Sequence, residues 1–228
     1  MKRSFEKSPE FKDLSRTNVM QAPYGRALDL LEVKNLPKGS VFLDIGGGYG
    51  TVGKILEDKC GNNVKYVNVD TDMQALRTSP GNRVAGDRGV LPIKSQSAHA
   101  ATYFFPASPT HPNENKWDVE RGVLPLVQAI RALKPGGKVC IMAHVKSENL
   151  MVLPNLLDFW LVKNNQIAEF GKDAYIYDTP SEFKEAYPAQ SHRIGDKLLM
   201  LVLKRTDHIT DEQLVGAVEK LHTHLAKD

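Results

Sequence analysis

The sequence predicts a single α/β domain built on a doubly wound, mostly parallel sheet, and three observations predict it. Between residues 41 and 143, short apolar runs of strand length alternate with longer amphipathic stretches of helix length, the pattern of repeated strand–helix–strand units. A glycine cluster, Gly46-Gly47-Gly48-Tyr49-Gly50, stands where the first strand gives way to a helix. Two carboxylates, Asp70 and Asp87, close the next two strand-like runs.

Taken in order, the first 25 residues lack a clean period and read as an arm or short helices. A helical stretch, Ala27–Leu31, is broken by Leu36-Pro37-Lys38-Gly39. Val41–Ile45 is an apolar run suited to a strand buried on both faces. Thr51–Lys59 follows as a helix with Val52, Ile55 and Leu56 on one side. A second strand, Val64–Val69, ends at Asp70, and Thr71–Thr78 is a short helix closed by Pro80-Gly81. Arg83–Gly86 is a weak third strand ending at Asp87. The fourth strand, Ala98–Phe105, stops at Pro106, and a polar loop over 107–116 leads to a helix from Trp117 to Leu133. Its apolar positions Val119, Val123, Leu126, Ile130 and Leu133 recur at helical spacing. Lys134-Pro135-Gly136-Gly137 reads as a turn before a fifth strand, Lys138–Ala143. Beyond it, Leu150–Val162 is expected to be helical, while 164–177 shows no repeat. Thr179–Ala186 opens on a capping box and reads as a helix. Leu198–Leu203 is a central strand, and a second capping box at Thr210–Gln213 opens the last helix.

Size and composition agree with one domain over residues 1–228. No apolar run approaches the roughly 20 residues that cross a bilayer, so no membrane partner is expected. The charged start has no apolar core behind it and does not read as a signal peptide. Cys60 and Cys140 form neither a disulfide framework nor a CxxC metal pattern, and a reduced, cytoplasmic setting is the default expectation. His222 and His224 fall on different faces of the last helix, so no metal site is expected there. A net charge of +3 does not demand nucleic acid. The excess gathers in residues 1–26 at Lys2, Arg3, Lys7, Lys12, Arg16 and Arg26, which reads first as a solvated arm and second as an RNA-binding one.

The glycine cluster allows a ligand close to the backbone, with helix N–H groups aimed at it. By itself it is ambiguous, because Gly48-Tyr49-Gly50-Thr51-Val52-Gly53 also spells the GxGxxG dinucleotide fingerprint. Two features favour another ligand. Asp44 stands two residues before the first glycine, where a carboxylate suits the ammonium of an amino-acid-like ligand and opposes a pyrophosphate. The dinucleotide register would also leave Gly46-Gly47 unexplained. Asp70, placed to accept both hydroxyls of a ribose, fits either ligand.

The stretch from Asp44 to Gly50 resembles the D/E-x-G-x-G-x-G loop of class I S-adenosylmethionine (SAM)-dependent methyltransferases. Val67-Asn68-Val69-Asp70 is similar to that family's ribose-binding strand end, and Gly86-Asp87 with Leu91-Pro92 to its adenine-binding segment. Leu133–Val139 resembles the turn before its fifth strand. These four motifs fall in order across residues 41–143. The resemblance implies a Rossmann-like, seven-stranded sheet whose last strand, Leu198–Leu203, is antiparallel, with Ser191–Ile194 as its hairpin partner. It implies SAM as cofactor and S-adenosylhomocysteine as product. The cofactor site implied is Asp44, Gly46, Gly47, Gly48, Tyr49, Gly50, Asp70, Thr71, Asp87, Arg88 and Phe104. Residues 1–40 and 145–177 would supply an arm and a substrate-side lid. One departure stands out: the fourth strand ends in Tyr103-Phe104-Phe105-Pro106, not the Asn/Asp-Pro-Pro-aromatic tetrad of enzymes that methylate base amines or glutamine amides.

Methyl transfer is an in-line displacement that rests mainly on positioning, so no catalytic residue is legible. Tyr24, His111 and His144 are the substrate-side candidates, the histidines as bases for a hydroxyl acceptor. Three readings of the whole stay open. The first is an enzyme acting on a small molecule, and the second one acting on RNA or protein. The third is a non-catalytic SAM-binding partner subunit. The oligomeric state is not legible.

Overall fold

The computed structural model describes residues 20–87, 90–104, 119–145, 147, 152–163, 165–178 and 197–225. Helix α1 (Gln21–Leu30) leads through a short 3-10 turn to β1 (Ser40–Ile45), α2 (Thr51–Cys60) and β2 (Val64–Asp70). Next come α3 (Met73–Thr78), β3 (Asn82–Ala85) and β4 (Ala98–Phe104). The second half holds α4 (Val119–Ala132), β5 (Leu133–Val145), α5 (Val152–Leu157, continued by a π-helical turn over Asp158–Lys163), β6 (Ala168–Asp178), β7 (Lys197–Arg205) and α6 (Asp211–Leu225). The strands form one seven-stranded sheet in the order β3-β2-β1-β4-β5-β7-β6. Only β7 runs against the rest, pairing antiparallel with both β5 and β6. The expected doubly wound sheet with an antiparallel last strand is the observed one.

Alternating residues of each central strand feed two apolar layers. Leu43, Ile45, Val69, Ala101, Tyr103, Ile141 and Leu201 pack beneath α4 and α6. Phe42, Tyr66, Ala100, Cys140, Met142 and Met200 pack beneath α1 and α2. The second layer extends the core into the region expected to be an arm, since Met20, Tyr24, Ala27, Leu28 and Leu31 are all buried. Helix α1 also starts earlier than Ala27. Pro23 lies in its first turn, where an amide has no partner inside the helix and proline costs little.

Three other expectations are corrected. The lid expected over 145–177 does not hold as one unit: Ala168–Asp178 is the sixth strand and the hairpin partner of β7. The family resemblance places that partner at Ser191–Ile194, which lie outside the described residues. A register shift between Phe170 and Ala174 breaks the period-2 alternation, so the strand leaves no repeat in the sequence. The Lys134–Gly137 turn is a bulge inside β5, between the pairs Ala98↔Leu133 and Ala100↔Lys138. The helix expected at Thr179–Ala186 lies outside the described residues. The capping box before α6 is present, with Gln213 Oε1 accepting from the Thr210 amide at 2.9 Å and Thr210 Oγ1 from that of Gln213 at 3.3 Å.

Candidate functional site

The sheet order places β1 between β2 and β4, the point at which successive connections turn to opposite sides and a crevice opens beyond the strand ends. Residues 46–50 lie there. Strand β1 ends at Ile45, so the loop begins at Gly46 as the longer motif requires. Gly46, Gly48 and Gly50 all take positive φ, at 74°, 52° and 75°. A Cβ on Gly50 would meet Ser79 and Pro80, and one on Gly47 would fall on the Asp44 carboxylate and within 2.6 Å of Asn68 Oδ1. Gly53, the last residue of the GxGxxG match, packs its bare Cα on the Tyr66 ring, which gives that glycine a packing role.

Asp70 is the last residue of β2 and only 4% exposed. Its Oδ2 accepts from the Gly48 amide at 2.8 Å and its Oδ1 from the Asp72 amide at 2.8 Å. Asp72 in turn caps α3 by accepting from the amides of Gln74 and Ala75. The carboxylate thus joins the glycine loop to the start of α3, and each of its oxygens can accept more than one hydrogen bond. Thr71, beside it, is exposed. The backbone carbonyl of Asp70 accepts from Gly86 N–H at 3.1 Å, which brings the exposed Asp87 to the same end of the sheet.

Asp44 is 1% exposed and lies beneath the loop. Its Oδ2 accepts from the Tyr66 hydroxyl at 2.6 Å and its Oδ1 from Thr102 Oγ1 at 2.7 Å. Burial, and then the Asp44 charge, push the Tyr66 phenol well above its ordinary pKa, so it stays protonated and donates. The geometry makes Asp44 a strut under Gly47. Both carboxylate oxygens thus have partners below the loop, while a contact to a ligand ammonium, direct or through water, stays an expectation.

On the other side of β1, Phe104 ends β4, half-buried, and its ring stacks on Tyr24 of α1 at 5.0 Å between centroids. Tyr49 is a half-buried member of the loop. His144 does not follow the fifth strand: it is half-buried within β5, paired with Leu198 of β7. Arg88 and His111 lie outside the described residues. The structure therefore gathers the loop, Asp70, Asp87 and Phe104 at one end of the sheet, with Tyr24 behind Phe104. Sequence reasoning missed Tyr66, Asn68, Ser79 and Thr102, the polar layer under the loop. The available signal was a polar residue in the apolar interior of two strands, Asn68 and Thr102.

No protein-family model matches the chain, and no curated protein matches it in sequence. Solved structures do match in shape. One is a Haloferax volcanii protein described as a methyltransferase, in complex with the Trm112 methyltransferase activator. It is 16% identical with a TM-score of 0.58, over 88% of this chain and 98% of that one. A geranyl diphosphate methyltransferase in complex with SAM is 9% identical with a TM-score of 0.56, over 88% and 92%. The [4+2]-cyclase SpnF is 15% identical with a TM-score of 0.58, over 84% of each chain. The fold is therefore the Rossmann-like one of the class I methyltransferases.

Proposed function

We propose that the chain binds SAM across the carboxyl ends of β1, β2 and β4 and transfers its methyl group to a small-molecule acceptor. The observation that carries this reading is the tie between Asp70 and the Gly48 amide, which sets the loop and the end of β2 around one crevice. The residues fit the cofactor. Gly46 is exposed, with nothing within 4 Å of where a Cβ would stand, so a ligand can approach the backbone of Gly46, Gly47 and Gly48. Asp70 is the proposed acceptor for the ribose hydroxyls, with Thr71 beside it, and Asp87 the proposed partner of the adenine amine. Tyr49 and Phe104 would wall the site. Asp44 would act through the loop, holding it from below. When bound, the cofactor supplies an electrophilic methyl on a sulfonium. The protein's part is then to align acceptor, methyl and sulfur and to exclude water.

A small acceptor is supported by the mild net charge and by the likeness to a geranyl diphosphate methyltransferase, which an apolar wall at Phe104, backed by Tyr24, suits. A lid formed by the N-terminal arm is part of the same proposal. The likeness to a [4+2]-cyclase favours a second reading, a SAM-binding protein whose own reaction differs, because fold does not fix function. Calorimetry with SAM and with NAD tests the donor: binding of SAM alone is expected, and binding of NAD alone overturns the proposal. A labelled-methyl transfer screen over metabolite, RNA and protein fractions tests the acceptor. Label in the metabolite fraction is expected. Label only in RNA or protein rejects the small acceptor, and SAM binding without any transfer supports the second reading.

A further inference from the structure

Beneath the glycine loop runs a row of polar side chains in an otherwise apolar layer. Thr102, Asp44 and Asn68 are register partners on β4, β1 and β2, and all three are buried. Asn68 is 0% exposed. Its Nδ2 donates to the Gly48 carbonyl at 2.8 Å and to Ser79 Oγ at 2.8 Å, while its Oδ1 has no hydrogen-bond partner. A buried amide oxygen left without a donor is unfavourable, and an apolar side chain of similar size would avoid it. What the carboxamide supplies in return is a hold on the loop. Both backbone polar groups of Gly48 are held, the carbonyl by Asn68 and the amide by Asp70. Gly47, next to it, is closed from below by Asp44 and Asn68 together.

We infer that Asn68 is a positioning residue for the methyl-donor loop: it never touches the ligand, but by fixing the Gly48 carbonyl it holds the loop in its binding conformation. This rests on the SAM reading above. Without the clasp, the binding-competent loop becomes one of several conformers, and apparent affinity falls by the fraction of time it is occupied.

The test compares the wild type with Asn68→Leu and Asn68→Ser. SAM affinity is read by calorimetry, global stability by thermal unfolding, and loop order by hydrogen exchange at the amides of residues 46–50. Expected are a SAM dissociation constant raised about tenfold in both Asn68 variants, as the loss of one hydrogen bond implies, and faster exchange at Gly48. An unchanged dissociation constant in a folded Asn68 variant overturns the inference. So does a weakening without faster exchange at Gly48, which marks the role as packing alone. Asn68→Ser, the smaller change, decides the matter if Asn68→Leu does not fold. A wild type that binds no SAM sinks the donor reading itself, an outcome visible before any variant is made.

Discussion

Gly47 has room for no side chain, because the space above its Cα is taken by the Asp44 carboxylate and the Asn68 carboxamide. Gly47→Ala is therefore expected to destabilise the fold by about 1–3 kcal/mol through overpacking, seen as a lowered unfolding midpoint. It should also weaken SAM, since relief of the clash must lift the loop. Asp70 carries two jobs, one toward the proposed ribose and one toward the amides of Gly48 and Asp72. Asp70→Ala should weaken SAM by about 1.5–3 kcal/mol, the range for hydrogen bonds to a charged group. Calorimetry that finds unchanged affinity would remove Asp70 from the site. The residues that directly face the crevice were legible because glycine and aspartate at a strand end are rare and physically specific. The partners beneath them were not. Tyr66 and Thr102 acquire their roles only when three strands bring them to one carboxylate, and nothing local to either residue announces that.

At the level of the elements, Arg205 of β7 holds the second half together. Fully buried, it donates to the carbonyls of Ile130, Arg131 and Leu133 at the end of α4 and to that of Ile209 before α6. A cation at a helix carboxyl end meets both the unpaired carbonyls and the negative end of the dipole. Arg205→Ala should cost about 3 kcal/mol or more, since it leaves several buried carbonyls without a donor. Arg205→Lys should recover only part, because an ammonium lacks the guanidinium fork; denaturant unfolding of both variants checks the order. Nothing local in the sequence marks Arg205, because its burial depends on where α4 ends. The capping box of α6 was readable because its two contacts join residues three apart. Strand β6 was not readable, because its bulge scrambles the alternation on which strand reading depends.

At the scale of the whole molecule, one pH-sensitive contact lies at the amino ends of the strands. His99 accepts from the Val41 amide at its Nδ1, and burial, then the nearby Lys134, push its pKa down. The fold favours the neutral ring, so its contribution is complete above the unfolded value of about 6.5 and is lost as pH falls through the lowered folded value. Melting temperature should fall as pH drops below about 6.5 in the wild type and fall less in His99→Gln, whose uncharged amide can accept the same bond. An equal slope in both proteins would assign the effect elsewhere. The sequence by itself determined the fold class, the place of the glycine loop and the carboxylates after it, because strand–helix alternation and glycine geometry are local properties. The tertiary structure decided that Asp44 supports the loop from below, that Asn68 clasps it, that His144 belongs to a strand, and that residues 168–178 complete the sheet. Each of these depends on which strands become neighbours and in what register, and pairing across dozens of residues leaves no mark in either partner alone.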